Sequence, residues 1–363
     1  MIAGGGTGGH VYPGVAVART WLDDSEENQV LFVGPKRGLL SKILERERLP
    51  LKSIKASGFV GVKIGKKILS IFQLIRAFFE SLEIIKDFDP HVVLGVGGYA
   101  SVSPILAAWL KRKPIVLIEQ NSVPGIANRI LSPFASKIAL GLPLQKDFFS
   151  KSKTVNTGLP LRTEFDSRGE RERSFWNGPL KILVFGGSQG ATAINDVVVR
   201  TLPLLHAFCG QLQFVHQTGE GDVDWVRSAY EKEQLDGDVR SFLFDIVDKY
   251  RWAHFVIARS GAVTVAEITA MALPALLIPF PGATHSHQEA NAKFLSNEGA
   301  AIALKQEELE PQVLFSIISK LILDRNILYE MSSKTQDLFI TCSRISVAQI
   351  CRDSTSVRNS QGI

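Results

Sequence analysis

Short apolar runs rich in β-branched residues alternate along the chain with segments whose apolar positions recur at helical spacing. The runs occupy residues 30–34, 91–96 and 114–119 in the first half, and 181–185, 212–216, 254–258 and 274–279 in the second. Buried parallel strands read as continuous apolar runs, and strands that alternate with helices build parallel sheets. The pattern therefore predicts an α/β protein with two sets of parallel strands.

Three predicted strands of the first half end in glycine-rich or polar turns. These turns are GGGTGGHVYPG at 4–14, with a helix expected to open at Val15, GVGGYAS at 95–101, and EQNSVPG at 119–125. Ligands of open α/β sheets bind at the carboxyl ends of the strands, and helix N-termini favour anions. The turns predict one anion-binding site, although a plain strand-to-helix turn is the alternative for each.

The second half repeats this arrangement, because strand 181–185 runs into the glycine turn GGSQGA at 186–191. A polar stretch at 163–179 separates the halves. We expect two similar Rossmann-like, doubly wound domains facing each other. Their predicted ranges are 1–157 and 158–338, followed by a C-terminal helix within 339–363 that packs back on the first domain and frays from Asp353.

Charge is distributed unevenly over the 363 residues. Residues 1–157 hold 21 Lys and Arg against 12 Asp and Glu, which gives +9, whereas residues 158–363 hold 20 against 24, which gives −4; the sum is the overall +5. No acidic residue occurs between Arg48 and Phe79. A basic half suggests an anionic partner, which can be a nucleic acid, a phosphorylated substrate or an anionic lipid.

The three cysteines, Cys209, Cys342 and Cys351, form no CxxC motif and suit neither a disulfide framework nor a zinc site. No signal peptide is visible, and the short strand before the glycine loop suggests that the native start lies upstream of Met1. The longest apolar stretch, 268–281, is too short to span a bilayer.

The sequence gives weaker support to several other kinds of binding site. A nicotinamide- or flavin-binding fingerprint needs an acidic residue at the end of the second strand, and neither half supplies one. The DxD patterns at 222–224 and 236–238 are short enough to arise by chance. His285 and His287 lack a third metal ligand in the sequence. No obligatory metal or other cofactor is predicted.

Two polar segments of the second half each allow two interpretations. In RSGAVTVAE at 259–267 a helix is expected near Thr264, so that Glu267 either faces a ligand and holds a ribose or merely favours the helix N-terminus as a capping-box partner. In the segment 279–292, Gln288, His287 and Asn291 can read sugar hydroxyls or can belong to a surface loop.

The segment 59–85 mixes lysines with large apolar residues at helical spacing. Its apolar face is too wide for simple amphipathicity, so a core helix is one interpretation. A patch resting on an anionic bilayer is the other. The residues predicted for that patch are Lys63, Lys66, Lys67, Ile68 and Phe72.

Seven stretches together, in the same order and across most of the chain, resemble the MurG family of N-acetylglucosaminyltransferases. They are GGGTGGHVYPG at 4–14, VVLGVGGYAS at 92–101, PIVLIEQNSVPG at 114–125, GLPLR at 158–162, ILVFGGSQGA at 182–191, RSGAVTVAEI at 259–268 and HQEANA at 287–292. The resemblance implies a GT-B fold with the active site in a cleft. It implies inverting, metal-independent transfer from UDP-N-acetylglucosamine to undecaprenyl-diphospho-muramoyl-pentapeptide (lipid I), giving lipid II.

The resemblance also implies roles for individual residues. Leu243 would bind uracil through its backbone, Glu267 would hold the ribose, and Gln288 and Asn121 would read the sugar hydroxyls. His10 would be the general base, supported by Tyr99 and Glu119. Arg162 and Ser188 would meet the donor diphosphate, Ala262, Val263 and Thr264 would lie under the sugar and phosphates, and Thr7, Gly8 and Gly9 would complete the donor pocket. Gly5, Gly6, Gly97 and Gly98 would hold the acceptor diphosphate.

The resemblance further implies a peripheral protein on the cytoplasmic face of the bacterial cell membrane. Its expected partners are the anionic membrane surface and proteins of cell-wall synthesis, and not nucleic acid. The sequence departs from the family pattern at His287, where a glutamine is frequent, and at 242–246, which lacks the usual double-acidic run. The rivals are a GT-B transferase acting on diacylglycerol or a sterol, and an inactive nucleotide-sugar-binding scaffold.

Overall fold

The chain forms two compact units in the computed structural model, which describes residues 1–5, 8–36, 38–55, 64–166, 176–187 and 189–359. Of residues 64–71 and 357–359 only the backbone is described. The first unit comprises Met1–Thr163 together with Ile340–Ile363, and the second comprises Glu164–Phe339. The division falls a few residues after the boundary expected at 157, so Arg162 belongs to the first unit.

A parallel sheet of seven strands forms the centre of the first unit, in the order β3-β2-β1-β4-β5-β6-β7. The strands are β1 Ile2–Ala3, β2 Phe32–Gly34, β3 Leu51–Ser53, β4 Val93–Gly95, β5 Ile115–Glu119, β6 Lys137–Leu140 and β7 Thr154–Asn156. The helices are α1 Gly8–Asp24, α2 Leu39–Arg46, α3 Ile64–Phe88, α4 Val102–Leu110 and α5 Ile126–Leu131.

The second unit is built on a parallel sheet of six strands in the order β10-β9-β8-β11-β12-β13. Its strands are β8 Leu180–Phe185, β9 Leu212–Gln217, β10 Asp236–Arg240, β11 Phe255–Ala258, β12 Ala275–Leu277 and β13 Ala301–Ala303. Its helices are α6 Thr192–Thr201, α7 Val223–Lys232, α8 Ile246–Trp252, α9 Ala262–Ala270, α10 His287–Ser296, α11 Pro311–Leu323 and α12 Asn326–Asp337.

Each unit buries its central strands on both faces, which explains why these strands read as apolar runs. All residues of β5 and β11 are buried, and the cores include Leu117 and Ile138 in the first unit and Phe214 and Phe255 in the second. The strand order around β1 and around β8 is the doubly wound one. The predicted fold of two Rossmann-like parallel sheets is thereby confirmed.

The chain returns to the first unit through its last helix, α13 Ser343–Asn359. This helix packs against α1, β5 and β6, and buries Val347, Ala348 and Cys351. The helix continues beyond Asp353, where the sequence suggested the start of a frayed tail. The first unit is therefore completed by a segment that follows the second unit in sequence.

Several large apolar side chains of the first unit remain exposed. On α3 they are Phe72, Ile75 and Phe79, and the neighbouring α4 adds Trp109 and Leu110 at its C-terminal end. Within the part of the chain that the structure describes, no helix is both long and apolar enough to cross a membrane.

Candidate active site

Two glycine turns of the first unit meet where the strand order reverses, between β1 and β4. The amide N–H of Val96 donates to the carbonyl of Ala3 at 2.9 Å. Gly98 has a φ of +78°, and a Cβ there would clash with the carbonyl of Gly5. The structure thus brings Gly5, Gly97 and Gly98 together at the carboxyl ends of the strands, where ligands of doubly wound sheets bind. Gly6 lies outside the described residues.

Helix α1 begins at Gly8, so the expected start at Val15 is wrong. Glycine and proline disfavour helix by propensity, but packing overrides this preference here, because Val11, Pro13 and Gly14 are buried. His10 therefore lies in the first helical turn and not in a loop. Gly8 and Gly9 form the start of the helix, whereas Thr7 lies outside the described residues.

The imidazole of His10 lies against the second glycine turn. A Cβ built on Gly97 would lie 2.9 Å from Cδ2 of His10 and 3.4 Å from its Nε2. His10 is half-buried. Tyr99 is also half-buried and begins the short 3-10 turn Tyr99–Ser101 that follows Gly98. The guanidinium carbon of Arg162 lies 5.6 Å from the ring centroid of Tyr12, a position that favours cation–π attraction.

Glu119 ends β5 and is buried within the loop that it starts. Its carboxylate accepts hydrogen bonds from the backbone N–H of Asn121 at 3.0 Å and of Gly125 at 3.1 Å. The side-chain amides of Asn128 and Asn121 also donate to it, at 2.8 Å and 3.3 Å. Burial raises the pKa of Glu119, and these hydrogen bonds oppose the shift. The carboxyl group thus fixes the position of Asn121.

The glycine turn of the second unit is held by a side chain of the neighbouring strand β9. Gln217 donates from its Nε2 to the carbonyl of Gly187 at 2.8 Å. Asn195 on α6 donates to the carbonyl of Thr218 at 2.9 Å, and its Oδ1 lies 3.1 Å from Nε2 of His216. Burial lowers the pKa of His216 to about 3, so the ring is neutral at physiological pH. Ser188 lies outside the described residues.

Helix α9 follows β11 at the point of strand reversal in the second unit. Gly261 is its N-cap, and Ala262, Val263 and Thr264 form its first turn, whose N–H groups lack intrahelical partners. The helix thus begins two residues before Thr264, near the expected position, and Glu267 lies in its second turn. This position removes the capping-box explanation for Glu267. Tyr250, fully buried, donates its hydroxyl to Oε2 of Glu267 at 3.0 Å.

Gln288 and Asn291 join two loops at the carboxyl ends of β11 and β12. The Oε1 atom of Gln288 accepts the N–H of Phe280 at 2.9 Å, and its carbonyl accepts the hydroxyl of Ser260 at 2.8 Å. Asn291, which is buried, donates to the carbonyl of Ser260 at 3.1 Å. In His287 the Nδ1 atom lies 2.7 Å from the carbonyl of Thr284. Asn291 and His287 thus have structural contacts within this loop region.

Leu243 lies between β10 and α8 with its side chain buried. The flanking aromatic residues, Phe242 and Phe244, are exposed, and their rings contact edge to face with centroids 4.8 Å apart. The exposed rings of Phe242 and Phe244, together with the backbone between them, can contact a ligand. Among the described residues, no group of three or more His, Cys, Asp or Glu side chains is arranged to hold a metal ion.

Comparison with known proteins covers both units. The chain matches the glycosyltransferase family 28 N-terminal domain over residues 1–140 and the C-terminal domain over residues 181–342. It is 40% identical over 335 residues to a UDP-N-acetylglucosamine–N-acetylmuramyl-(pentapeptide) pyrophosphoryl-undecaprenol N-acetylglucosamine transferase of Thermodesulfovibrio yellowstonii, covering 91% of this chain and 92% of the relative. It is 40% identical over 354 residues to the transferase of that name from Syntrophotalea carbinolica, covering 97% and 98%.

Among solved structures, the crystal structure of Acinetobacter baumannii MurG has a TM-score of 0.79 at 30% identity, over 97% of this chain and 98% of that one. A glycosyltransferase of kitacinnamycin has a TM-score of 0.71 at 14% identity, over 96% of each chain, and shows the shared fold alone. Two parallel-sheet units with these family 28 matches define a GT-B glycosyltransferase. The chain belongs to the MurG family, so the resemblance in its motifs is confirmed.

Four side chains that shape the site were not identified from the sequence: Gln120, Asn128, Gln217 and Tyr250. Gln120 and Gln217 each lie at the carboxyl end of a predicted strand beside a glycine turn, which was a usable signal. Asn128 and Tyr250 act on residues 9 and 17 positions away. For these two, no local pattern indicates the contact.

Proposed function

We propose that this protein transfers N-acetylglucosamine from UDP-N-acetylglucosamine to the 4-hydroxyl of the muramoyl sugar of lipid I, with inversion, giving lipid II for peptidoglycan synthesis. The observation that carries the proposal is the 40% identity to a transferase of this name over 91% of the chain, which includes both units. The site geometry of each unit supports a separate part of the reaction.

The first unit supplies the base. His10 takes the proton of the acceptor hydroxyl as its oxygen attacks the anomeric carbon and the bond to UDP breaks. Histidine suits this role because its unperturbed pKa lies near neutrality. The half-buried position of His10 beside Gly97 supports the assignment. Gly5, Gly6, Gly97 and Gly98 hold the acceptor diphosphate, and Tyr99 and Glu119 support this region.

The second unit binds the donor. Glu267 accepts the ribose hydroxyls, and Tyr250 fixes the carboxylate that does so. Leu243 binds uracil through its backbone, and Gln288 reads the sugar hydroxyls, the role also proposed for Asn121. The first turn of α9, at Ala262, Val263 and Thr264, presents unpaired N–H groups to the sugar and phosphates.

Charge on the leaving UDP is stabilised without an obligatory metal in this proposal. Arg162 and Ser188 meet the diphosphate, and the N-terminal end of α9 adds its dipole. Thr7, Gly8 and Gly9 complete the pocket around the donor sugar. Activity in the presence of a chelator tests this part, and a complete loss restored by a divalent cation would contradict it.

The acceptor is lipid-linked, so the protein acts at the cytoplasmic face of the membrane as a peripheral enzyme. Exposed Phe72, Ile75 and Phe79 on α3 support a bilayer contact, because apolar patches on soluble surfaces usually mark interaction sites. Lys66, Lys67 and Ile68 lie in the part of α3 whose side chains are not described, and Lys63 lies outside the described residues. Proteins of cell-wall synthesis are further proposed partners.

The test of function incubates the purified protein with labelled UDP-N-acetylglucosamine and lipid I in parallel with diacylglycerol and sterol acceptors. We expect label in lipid II only. Transfer to diacylglycerol or a sterol but not to lipid I would contradict the proposal. Binding of the donor with no transfer to any acceptor would indicate an inactive scaffold.

The membrane contact is tested with vesicles of neutral and anionic phospholipid. We expect binding that needs the anionic lipid and weakens with salt, because exposed charges are screened. Replacing Phe72 and Phe79 by serine should weaken binding, whereas replacing the exposed Leu323 of the second unit should not. Salt-insensitive binding, or none, would contradict the contact.

A further inference from the structure

Gln120 is a buried polar side chain near the proposed base. It follows β5 directly and is 3% exposed. Its Nε2 donates to the carbonyl of Val96 at 2.8 Å. A carbonyl only accepts hydrogen bonds, so this contact fixes which end of the amide faces Val96. The Oε1 atom consequently occupies a defined position on the other side.

That position lies close to His10. A Cβ built on Gly97 would be 3.5 Å from Oε1 of Gln120, 3.4 Å from Nε2 of His10 and 2.9 Å from its Cδ2. The amide oxygen of Gln120 and the imidazole of His10 therefore both lie beside Gly97. Gly97 has a φ of +86°, so both its backbone conformation and the ring of His10 exclude a side chain there.

Adjacent residues of an extended segment point to opposite sides, so Glu119 and Gln120 form hydrogen bonds with different parts of the first unit. Glu119 binds donors of its own loop, at Asn121, Gly125 and Asn128. Gln120 instead reaches across to the turn after β4. Gln120 therefore links the end of β5 to the turn against which His10 packs.

We propose that Gln120 is a positioning residue for His10. Its hydrogen bond to Val96 holds the turn against which the imidazole packs. The proposal rests on the proposed function in that His10 is taken as the base. Gln120 acts through His10.

The kinetic test is a double-mutant cycle of Gln120→Met and His10→Ala, assayed with lipid I and UDP-N-acetylglucosamine. Misplacement of a catalytic group by about 1 Å can cost about 10²-fold, so we expect Gln120→Met alone to lower kcat about 10- to 100-fold with the donor KM little changed. In the His10→Ala background the same change should have no further effect on kcat. Losses that add in the double variant would overturn the proposal.

The matched control is Gln145→Met, because Gln145 is an exposed glutamine of the same unit. It should leave kcat unchanged in both backgrounds. Circular dichroism and the donor KM report whether the variants are folded. If Gln120→Met does not fold, Gln120→Asn, which shortens the same amide, takes its place in the cycle.

A second readout does not depend on turnover. The ring ¹⁵N resonances of the 7 histidines are compared in wild type and Gln120→Met, with His10 assigned by its loss in His10→Ala. We expect the His10 resonances to shift in Gln120→Met and to remain in place in Gln145→Met. Unchanged His10 resonances would overturn the proposal. If the wild type transfers nothing to lipid I, the proposed function fails, and this comparison still decides whether Gln120 positions His10.

Discussion

The two units hold their glycine turns with the same device. In the first unit Gln120, directly after β5, donates to Val96 in the turn after β4, and in the second unit Gln217, at the end of β9, donates to Gly187 in the turn after β8. Both distances are 2.8 Å. In each case a glutamine of one strand fixes the turn of the adjacent strand. The same kind of contact therefore holds a glycine turn in each unit.

The histidines near these turns differ. His10 is half-buried beside Gly97, whereas His216 is fully buried and contacts Asn195 and Tyr230 through its two ring nitrogens. A buried, neutral imidazole between two polar partners is a structural group, and an accessible imidazole can exchange protons with a substrate. In the proposed function, the histidine of the first unit acts as the base, whereas that of the second unit is structural.

Two buried titratable groups, one in each unit, make the free energy of unfolding depend on pH in opposite directions. The unfolded chain protonates His216 near 6.5 but the folded protein only near 3, so stability is lost as pH falls below 6.5. For Glu119 the folded pKa is raised, so the folded protein retains a proton that the unfolded chain releases. Its contribution falls as pH rises above the ordinary carboxyl range.

The largest expected effect belongs to His10. General-base catalysis typically contributes about 10²- to 10⁴-fold, so His10→Ala should lower kcat by that factor while the donor KM changes little. Steady-state kinetics with both substrates measures the two values. His91→Ala, at an exposed histidine of the same unit, is the control. Near wild-type kcat in His10→Ala would contradict the assignment of chemistry to the first unit.

Glu267 should show the opposite kinetic pattern. Hydrogen bonds to a charged group contribute about 1.5–3 kcal/mol, so Glu267→Ala should raise the donor KM or Kd about 10- to 100-fold, with a smaller change in kcat. Calorimetric titration with UDP measures the Kd without turnover. Glu231→Ala on α7, an exposed position, should bind UDP as the wild type does. Unchanged UDP affinity in Glu267→Ala would contradict the proposal that Glu267 of the second unit binds the donor.

The smallest effect concerns His216 and stability. Between pH 6.5 and pH 5 this group should cost the wild type about 2 kcal/mol of unfolding free energy, since one pKa unit corresponds to 1.36 kcal/mol. Urea unfolding of wild type and His216→Gln at pH 7 and pH 5 measures the difference. The variant should lose less stability on acidification than the wild type does. The exposed His206 supplies the control substitution, and equal losses in wild type and His216→Gln would show that His216 is not a buried neutral group.

The sequence was sufficient for the fold, because the signals for buried parallel strands and glycine turns are local. The run PIVLIE at 114–119 contains β5, and the glycine pairs at 97–98 and 186–187 follow β4 and β8 as predicted. The start of α1 was predicted less well. This helix begins earlier than expected, at Gly8, since packing and backbone geometry outweigh residue propensity at this position.

Contacts between distant residues could not be predicted from the pattern. The hydroxyl of Tyr250 reaches Glu267 only because α8 and α9 flank the same sheet. Gln120 reaches Val96 across 24 positions because β4 and β5 are neighbours in register. The motifs therefore indicated which residues form the site, and the tertiary structure shows what holds some of them.

The path of α13 has a consequence for biosynthesis. A ribosome that has finished Met1–Thr163 has made the whole first sheet but not the helix that covers α1, β5 and β6. The second unit, Glu164–Phe339, is continuous and can fold as soon as it emerges. The first unit is therefore completed only after the second unit has been synthesised. A truncation after Phe339 would remove α13, which packs against α1, β5 and β6 of the first unit.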